Sequence, residues 1–101
     1  MQGVVVRYKT KADQGDDNQA LVEAVFADLA ATHPEGLRYA TFRLDDGVTF
    51  VHIAFVETED GSNPLGGSAA FAAFQEGIVD RCDEPPAPSP ATVVGSYGFF
   101  D

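Results

Sequence analysis

The order strand, helix, strand, strand, helix, strand predicts an α+β domain of ferredoxin-like βαββαβ type, with a four-stranded antiparallel sheet. Residues 37–57, LRYATFRLDDGVTFVHIAFVE, are two β-branched and aromatic runs around Asp46-Gly47, a strong hairpin signal. Residues 3–9, GVVVRYK, read as a further strand of alternating faces. Between these strands Leu21, Val22, Val25, Phe26 and Leu29 recur at helical spacing and give one apolar stripe. Right-handed crossovers then place both helices on the same face of the sheet.

Along the chain, Val4, Val6 and Tyr8 of the first strand face one way and Val5, Arg7 and Lys9 the other. The first helix is expected to start at Asp16, which has capping-box spacing to Gln19 and suits the positive end of the helix dipole. Pro34 stops it and leaves His33 exposed at its C-terminus. A two-residue turn at Asp46-Gly47 pairs Arg43 with Phe50, Thr41 with His52 and Tyr39 with Ala54 on one face. Phe42 with Val51, Ala40 with Ile53 and Arg38 with Phe55 then share the other. Asn63 caps a turn begun by Pro64, Gly66-Gly67 breaks it, and Ser68 caps a new start. The second helix is expected over residues 68–82, with Phe71, Phe74, Ile78 and Cys82 along one side. Residues 83–90, DEPPAPSP, read as a surface linker. Residues 91–100, ATVVGSYGFF, read as the last strand, with Gly95 and Gly98 marking a bulge or a close approach.

A chain of 101 residues fits one domain, residues 1–101, and its 45% apolar share is that of an ordinary globular protein. Its single cysteine, Cys82, rules out an intrachain disulfide and reads as a small buried hydrophobe. The net charge of −10 would repel a phosphate backbone and disfavours anionic membranes, so neither nucleic acid nor membrane is an expected partner. No apolar run approaches the ~20 residues that span a bilayer, and residues 1–11 lack a signal-peptide pattern. A cytoplasmic protein is expected.

Two helices cover one face of a sheet, yet both faces here carry large side chains. Phe42, Ile53 and Phe55 oppose Tyr39 and Phe50 across the hairpin. Leaving the second face wet would expose more apolar surface than monomers usually tolerate, and burying it contributes ~25 cal/mol per Å². A two-fold homodimer, sheet against sheet, is therefore expected.

The strand and helix order, the long helix before LRYATFRL and the segment NPLGGSAAFAAF resemble the dimeric α+β barrel superfamily, which includes antibiotic biosynthesis monooxygenase-like domains. The resemblance spans nearly the whole chain. It implies two sheets closing into a barrel across a dimer, often with a cavity between each sheet and its helices. It also implies a choice among cofactor-independent monooxygenases, haem-degrading enzymes, isomerases and proteins without catalysis. The chain departs from the family in having no Trp, an aromatic found at the pocket of many monooxygenase-like relatives. Its second helix has no His to act as the haem ligand of the haem-degrading relatives.

The candidate catalytic residue is His52, the only histidine placed mid-strand, where a neutral imidazole can accept a proton from an acidic phenol or enol. Tyr39, Thr41, Arg43 and Phe50 share its face and are the candidate substrate-binding residues for a small aromatic ligand. The competing reading makes His52 a satisfied histidine at a dimer seam. Tyr8, Tyr39 and Tyr97 can orient a carbonyl or phenol or serve as core and interface residues. One of the strand arginines Arg7, Arg38 and Arg43 can hold an anion or neutralise an acidic neighbour across the dimer. No two histidines lie at metal spacing, no cysteine pair exists and no phosphate loop is present, so no metal or cofactor is expected. A cofactor-independent monooxygenase-like or isomerase-like enzyme and a non-catalytic dimeric ligand-binding or structural domain both remain open.

Overall fold

The computed structural model describes residues 2–99. Its elements are β1 (Gln2–Thr10), α1 (Gly15–Thr32), β2 (Leu37–Arg43), β3 (Thr49–Val56), a 3₁₀ turn (Pro64–Gly67), α2 (Ala69–Gln75), α3 (Ile78–Arg81) and β4 (Cys82–Ala91). The sheet order is β2-β3-β1-β4, antiparallel throughout, which is the ferredoxin-like arrangement. The helices pack on the face carrying Tyr8, Phe50 and His52, where Val22, Val25, Leu65 and Phe74 complete the core.

The hairpin register is the expected one, with Arg43 opposite Phe50, Thr41 opposite His52 and Tyr39 opposite Ala54. The turn itself differs. Residues 45–48 form a four-residue loop, closed by Gly47 N–H donating to the Leu44 carbonyl at 3.0 Å, with Gly47 in the left-handed region at φ 77°. Two extra loop residues keep the parity, so every side chain stays on its expected face. Asp46 stabilises the loop by accepting from the backbone N–H groups of Val48 and Thr49 and from the Thr49 hydroxyl.

Three expectations need correction. The first helix is capped at Gln14 rather than Asp16; Asp16 lies in the first turn, and its carboxylate accepts from Arg43 at 3.0 Å. Residues 68–82 do not form one helix. Gly77, at φ 74°, splits α2 from α3, and Cys82 opens β4. The Pro-rich segment is not a linker but the edge strand, and residues 92–99 of the expected last strand form no regular element. Phe100, which ended that expected strand, lies outside the described residues.

The prolines explain how the edge strand forms. Val4 lies opposite Pro90 and Val6 opposite Pro88, while Gly3, Val5 and Arg7 lie opposite Ala91, Ser89 and Ala87. Facing pairs in an antiparallel ladder alternate between exchanging hydrogen bonds and making none. The spacing of two therefore turns the missing N–H groups of Pro88 and Pro90 away from β1, and an edge strand has no partner on that side. The irregularity between Arg7 and Lys9 takes up the Pro85 end of the run.

Ser89→Pro should consequently lower stability by about 1–3 kcal/mol by removing a ladder donor, while Pro88→Ala should leave it nearly unchanged. Urea denaturation of both variants checks this, and equal effects would return the segment to a linker.

Candidate active site

β3 carries His52 into the core because its parity puts Phe50, His52 and Ala54 under the helices. His52 is 5% exposed, packed between Tyr8, Tyr39 and Phe74 with ring centroids 5.2, 5.8 and 5.3 Å away. Both ring nitrogens have partners. The Tyr8 hydroxyl lies 2.7 Å from Nε2; the Tyr39 hydroxyl lies 2.5 Å and the Thr41 hydroxyl 3.1 Å from Nδ1.

The polar chain continues beyond Tyr8. Asn18, fully buried on the first turn of α1, donates from Nδ2 to the Tyr8 oxygen at 2.8 Å. Its Oδ1 accepts from Arg81 Nε and Nη2, each at 3.3 Å. Arg81 also donates to the Phe74 and Glu76 carbonyls at the end of α2 and lies over the Phe74 ring. One arginine thus ties α2, α3 and α1 to the tyrosine–histidine chain.

Burial sets the protonation of these groups. It pushes the His52 imidazole down to about 4, because no carboxylate stands beside it to stabilise the charged form. Burial also raises both tyrosines above the ordinary phenol value, against the lowering hydrogen bonds of Asn18 to Tyr8 and of Thr41 to Tyr39. At neutral pH Tyr8, Tyr39 and His52 are an uncharged set of donors and acceptors.

Beside this chain lies a cavity of about 160 Å³ between sheet and helices. Tyr8, Tyr39 and His52 supply its polar end, Val4, Val6 and Ala54 line it from the sheet, and Leu65, Phe71, Phe74 and Ile78 line it from the opposite layer. Asn63 also borders it, with its Oδ1 occupied by the Leu65 N–H. An engineered apolar cavity of about 150 Å³ takes one benzene ring, which sets the scale.

The sequence-derived candidates fall into distinct places. His52 and Tyr39 line the cavity together. Thr41 touches His52 from the adjoining β2 position without bordering that cavity. Phe50 is a fully buried core residue stacked on Tyr8 at 5.5 Å. Arg43 stands at the outer end of the hairpin, bound to Asp16, Gln19 and the Gly47 carbonyl. Tyr97 is 96% exposed. Sequence reasoning missed Asn18 and Arg81 as members of the chain. Asn18 precedes Val22 and Val25 by four and seven residues, on the apolar stripe, where a polar residue signals a buried partner.

No family model matches the chain, and no curated protein matches it. Solved structures do. Rv0793 from Mycobacterium tuberculosis is 18% identical, with a TM-score of 0.73 over 94% of this chain and 96% of its own. An antibiotic biosynthesis monooxygenase is 16% identical, with a TM-score of 0.74 over 94% and 100%. SnoaB from Streptomyces nogalater, a cofactor-independent oxygenase studied as a mutant, is 14% identical, with a TM-score of 0.68 over 96% of each chain. The fold is that of the antibiotic biosynthesis monooxygenase-like proteins. The cavity takes its aromatic walls from Tyr8, Tyr39, Phe71 and Phe74, and the chain has no Trp. Among the described residues no cluster of three or more His, Cys, Asp or Glu stands where it could hold a metal, and no helix is long and apolar enough to cross a membrane.

The buried imidazole has a pH signature. Its folded value of about 4 lies below the ordinary 6.5, so between these values the unfolded chain binds a proton that the folded one does not. Stability is then full above pH 6.5 and falls by roughly 3 kcal/mol as the pH drops to 4. Urea titrations across this range should show that slope in the parent and its loss in His52→Gln; equal slopes would place the imidazole in water.

Proposed function

We propose that this chain is a cofactor-independent, monooxygenase-like enzyme acting on a small aromatic compound, a single-ring phenol or enol. The observation that carries the reading is the Tyr39–His52 hydrogen bond at the polar end of an apolar cavity of single-ring size. Leu65, Phe71 and Phe74 hold the ring, and the Tyr39 hydroxyl, backed by His52, meets the ring oxygen. His52 acts as hydrogen-bond partner rather than direct base, because both its nitrogens are engaged and burial weakens its basicity. A donor aimed at a developing oxyanion in a water-poor site stabilises the phenolate strongly. The phenolate then supplies all the electrons that molecular oxygen needs. The phenol proton is released to solvent as the phenolate forms, and a carbon–oxygen bond forms at the para carbon. The oxygen–oxygen and para carbon–hydrogen bonds break, the expelled oxygen takes up two protons as water, and phenol plus O₂ gives a para-quinone plus water.

The structural likeness to SnoaB, a cofactor-independent oxygenase, supports this chemistry at the level of fold. The neutral, fully satisfied His52 favours the second reading, a binding module without turnover. Oxygen uptake with 2-methoxyphenol, in chelator and without added flavin, separates them. The enzyme reading expects quinone to appear with one O₂ per phenol, and about a hundredfold loss in Tyr39→Phe. Binding without uptake would leave the binding module.

The assembly proposed is a homodimer formed by the helix-free face. That face carries Val5, Ile53 and Phe55, together with Phe42 at 45% exposure. Beyond β4 the chain continues as an arm with Val94, Tyr97 and Phe99 exposed. Phe99 borders a groove with Ala40, Phe42, Ile53 and Phe55 on the same face. Two such surfaces facing each other would remove the apolar area from water. Sedimentation at micromolar concentration should give twice the chain mass, and Phe42→Asp should shift it towards the monomer. A monomeric parent protein contradicts the dimer.

A further inference from the structure

The hydrogen-bond chain through His52 has a direction, and it begins at Arg81. A guanidinium has no acceptor, so the Asn18 amide must turn Oδ1 towards Arg81 and Nδ2 towards Tyr8. Tyr8 therefore accepts from Asn18, and its single proton goes to the remaining neighbour, His52 Nε2, at 2.7 Å. An imidazole that accepts at Nε2 and is neutral carries its proton on Nδ1. Nδ1–H points at the Tyr39 oxygen at 2.5 Å, with the Thr41 hydroxyl at 3.1 Å as the weaker contact. The Tyr39 oxygen is thereby an acceptor towards His52, and its own proton is left for the cavity that it lines.

We propose that Arg81 and Asn18 are positioning residues that orient this chain so that Tyr39 presents its O–H to the cavity, which therefore selects a single-ring ligand bearing an acceptor oxygen, a phenolate or an aryl carbonyl. This rests on the reading of the cavity as a ligand site. It adds residues that touch no ligand: Arg81 acts four hydrogen bonds away from Tyr39, through Asn18, Tyr8 and His52. Asn18→Asp reverses the order. A carboxylate only accepts, so Tyr8 would donate to it, His52 would carry its proton on Nε2, and Nδ1 would take the Tyr39 proton.

Long-range nitrogen–proton NMR on the full-length, nitrogen-15-labelled protein at neutral pH reads the His52 tautomer directly. The expected result is Nδ1–H in the parent and in Arg81→Lys, which keeps a donor-only partner, and Nε2–H in Asn18→Asp. Nε2–H in the parent overturns the proposal whether or not any variant folds, and so does an unchanged tautomer in a folded Asn18→Asp. Titration with acetophenone, which only accepts, and aniline, which mainly donates, reads the ligand class. The parent should prefer acetophenone by about tenfold, and Asn18→Asp should lose that preference. A parent that prefers aniline overturns the ligand class. Failure of both probes to bind, with the tautomers as expected, overturns the ligand-site reading and leaves the proton order standing.

Discussion

A buried histidine with both nitrogens hydrogen-bonded constrains nearly everything around it. His52 is neutral because burial penalises its charge, and it is tolerated in the core because Tyr8 and Tyr39 satisfy it. Those partners come from the two strands flanking β3, with Val6 and Thr41 directly opposite His52. A slip of one residue in either ladder would turn the histidine or a tyrosine to the other face. The same requirement reaches into the helical layer, where α1 must bring Asn18 onto Tyr8 and α3 must bring Arg81 onto Asn18. A polar chain of this kind specifies its surroundings more sharply than apolar packing does, because each unpaired member would cost about 1–3 kcal/mol.

The two faces of the sheet divide the work. Under the helices, Phe50, Phe74, Val22 and Val25 close most of the core, and what they leave unfilled lies beside the Tyr8–His52–Tyr39 cluster. Ser68 joins the helices above it, capping α2 at the Phe71 N–H while donating to Asp28 of α1. On the opposite face Val5, Ile53, Phe55 and Phe42 have no helix over them, and the arm after β4 adds Val94, Tyr97 and Phe99 to the exposed apolar surface. Site and proposed dimer surface therefore lie back to back on β2 and β3.

Much of this was legible because side-chain parity in a strand survives errors in turn length. The loop at Asp46-Gly47 is longer than expected, yet Thr41 still meets His52 and the apolar positions still separate by face. Asn63, Pro64 and Ser68 start their helical turns as their chemistry dictates. The Pro-rich segment was misread because prolines forbid a central strand, while their spacing of two permits an edge strand, and the sheet order is needed to tell these apart. Gly77 falls inside the helix expected over residues 68–82, whereas its left-handed conformation separates α2 from α3 and lets Arg81 turn back. The Asn18–Arg81 contact joins residues 63 positions apart, and no local pattern announces it. Arg43 had several acceptors within reach, and only the folded chain shows that Asp16, Gln19 and Gly47 take it.

The functional reading joins a fold that includes a cofactor-independent oxygenase to a cavity whose polar end is Tyr39 and His52. A crystal of the protein soaked with 4-bromophenol would locate a single-ring phenol by the anomalous signal of bromine. The account predicts bromine among Leu65, Phe71 and Phe74, with the phenol oxygen within hydrogen-bond distance of the Tyr39 hydroxyl. Bromine found only on the helix-free face, with the cavity empty, would contradict it.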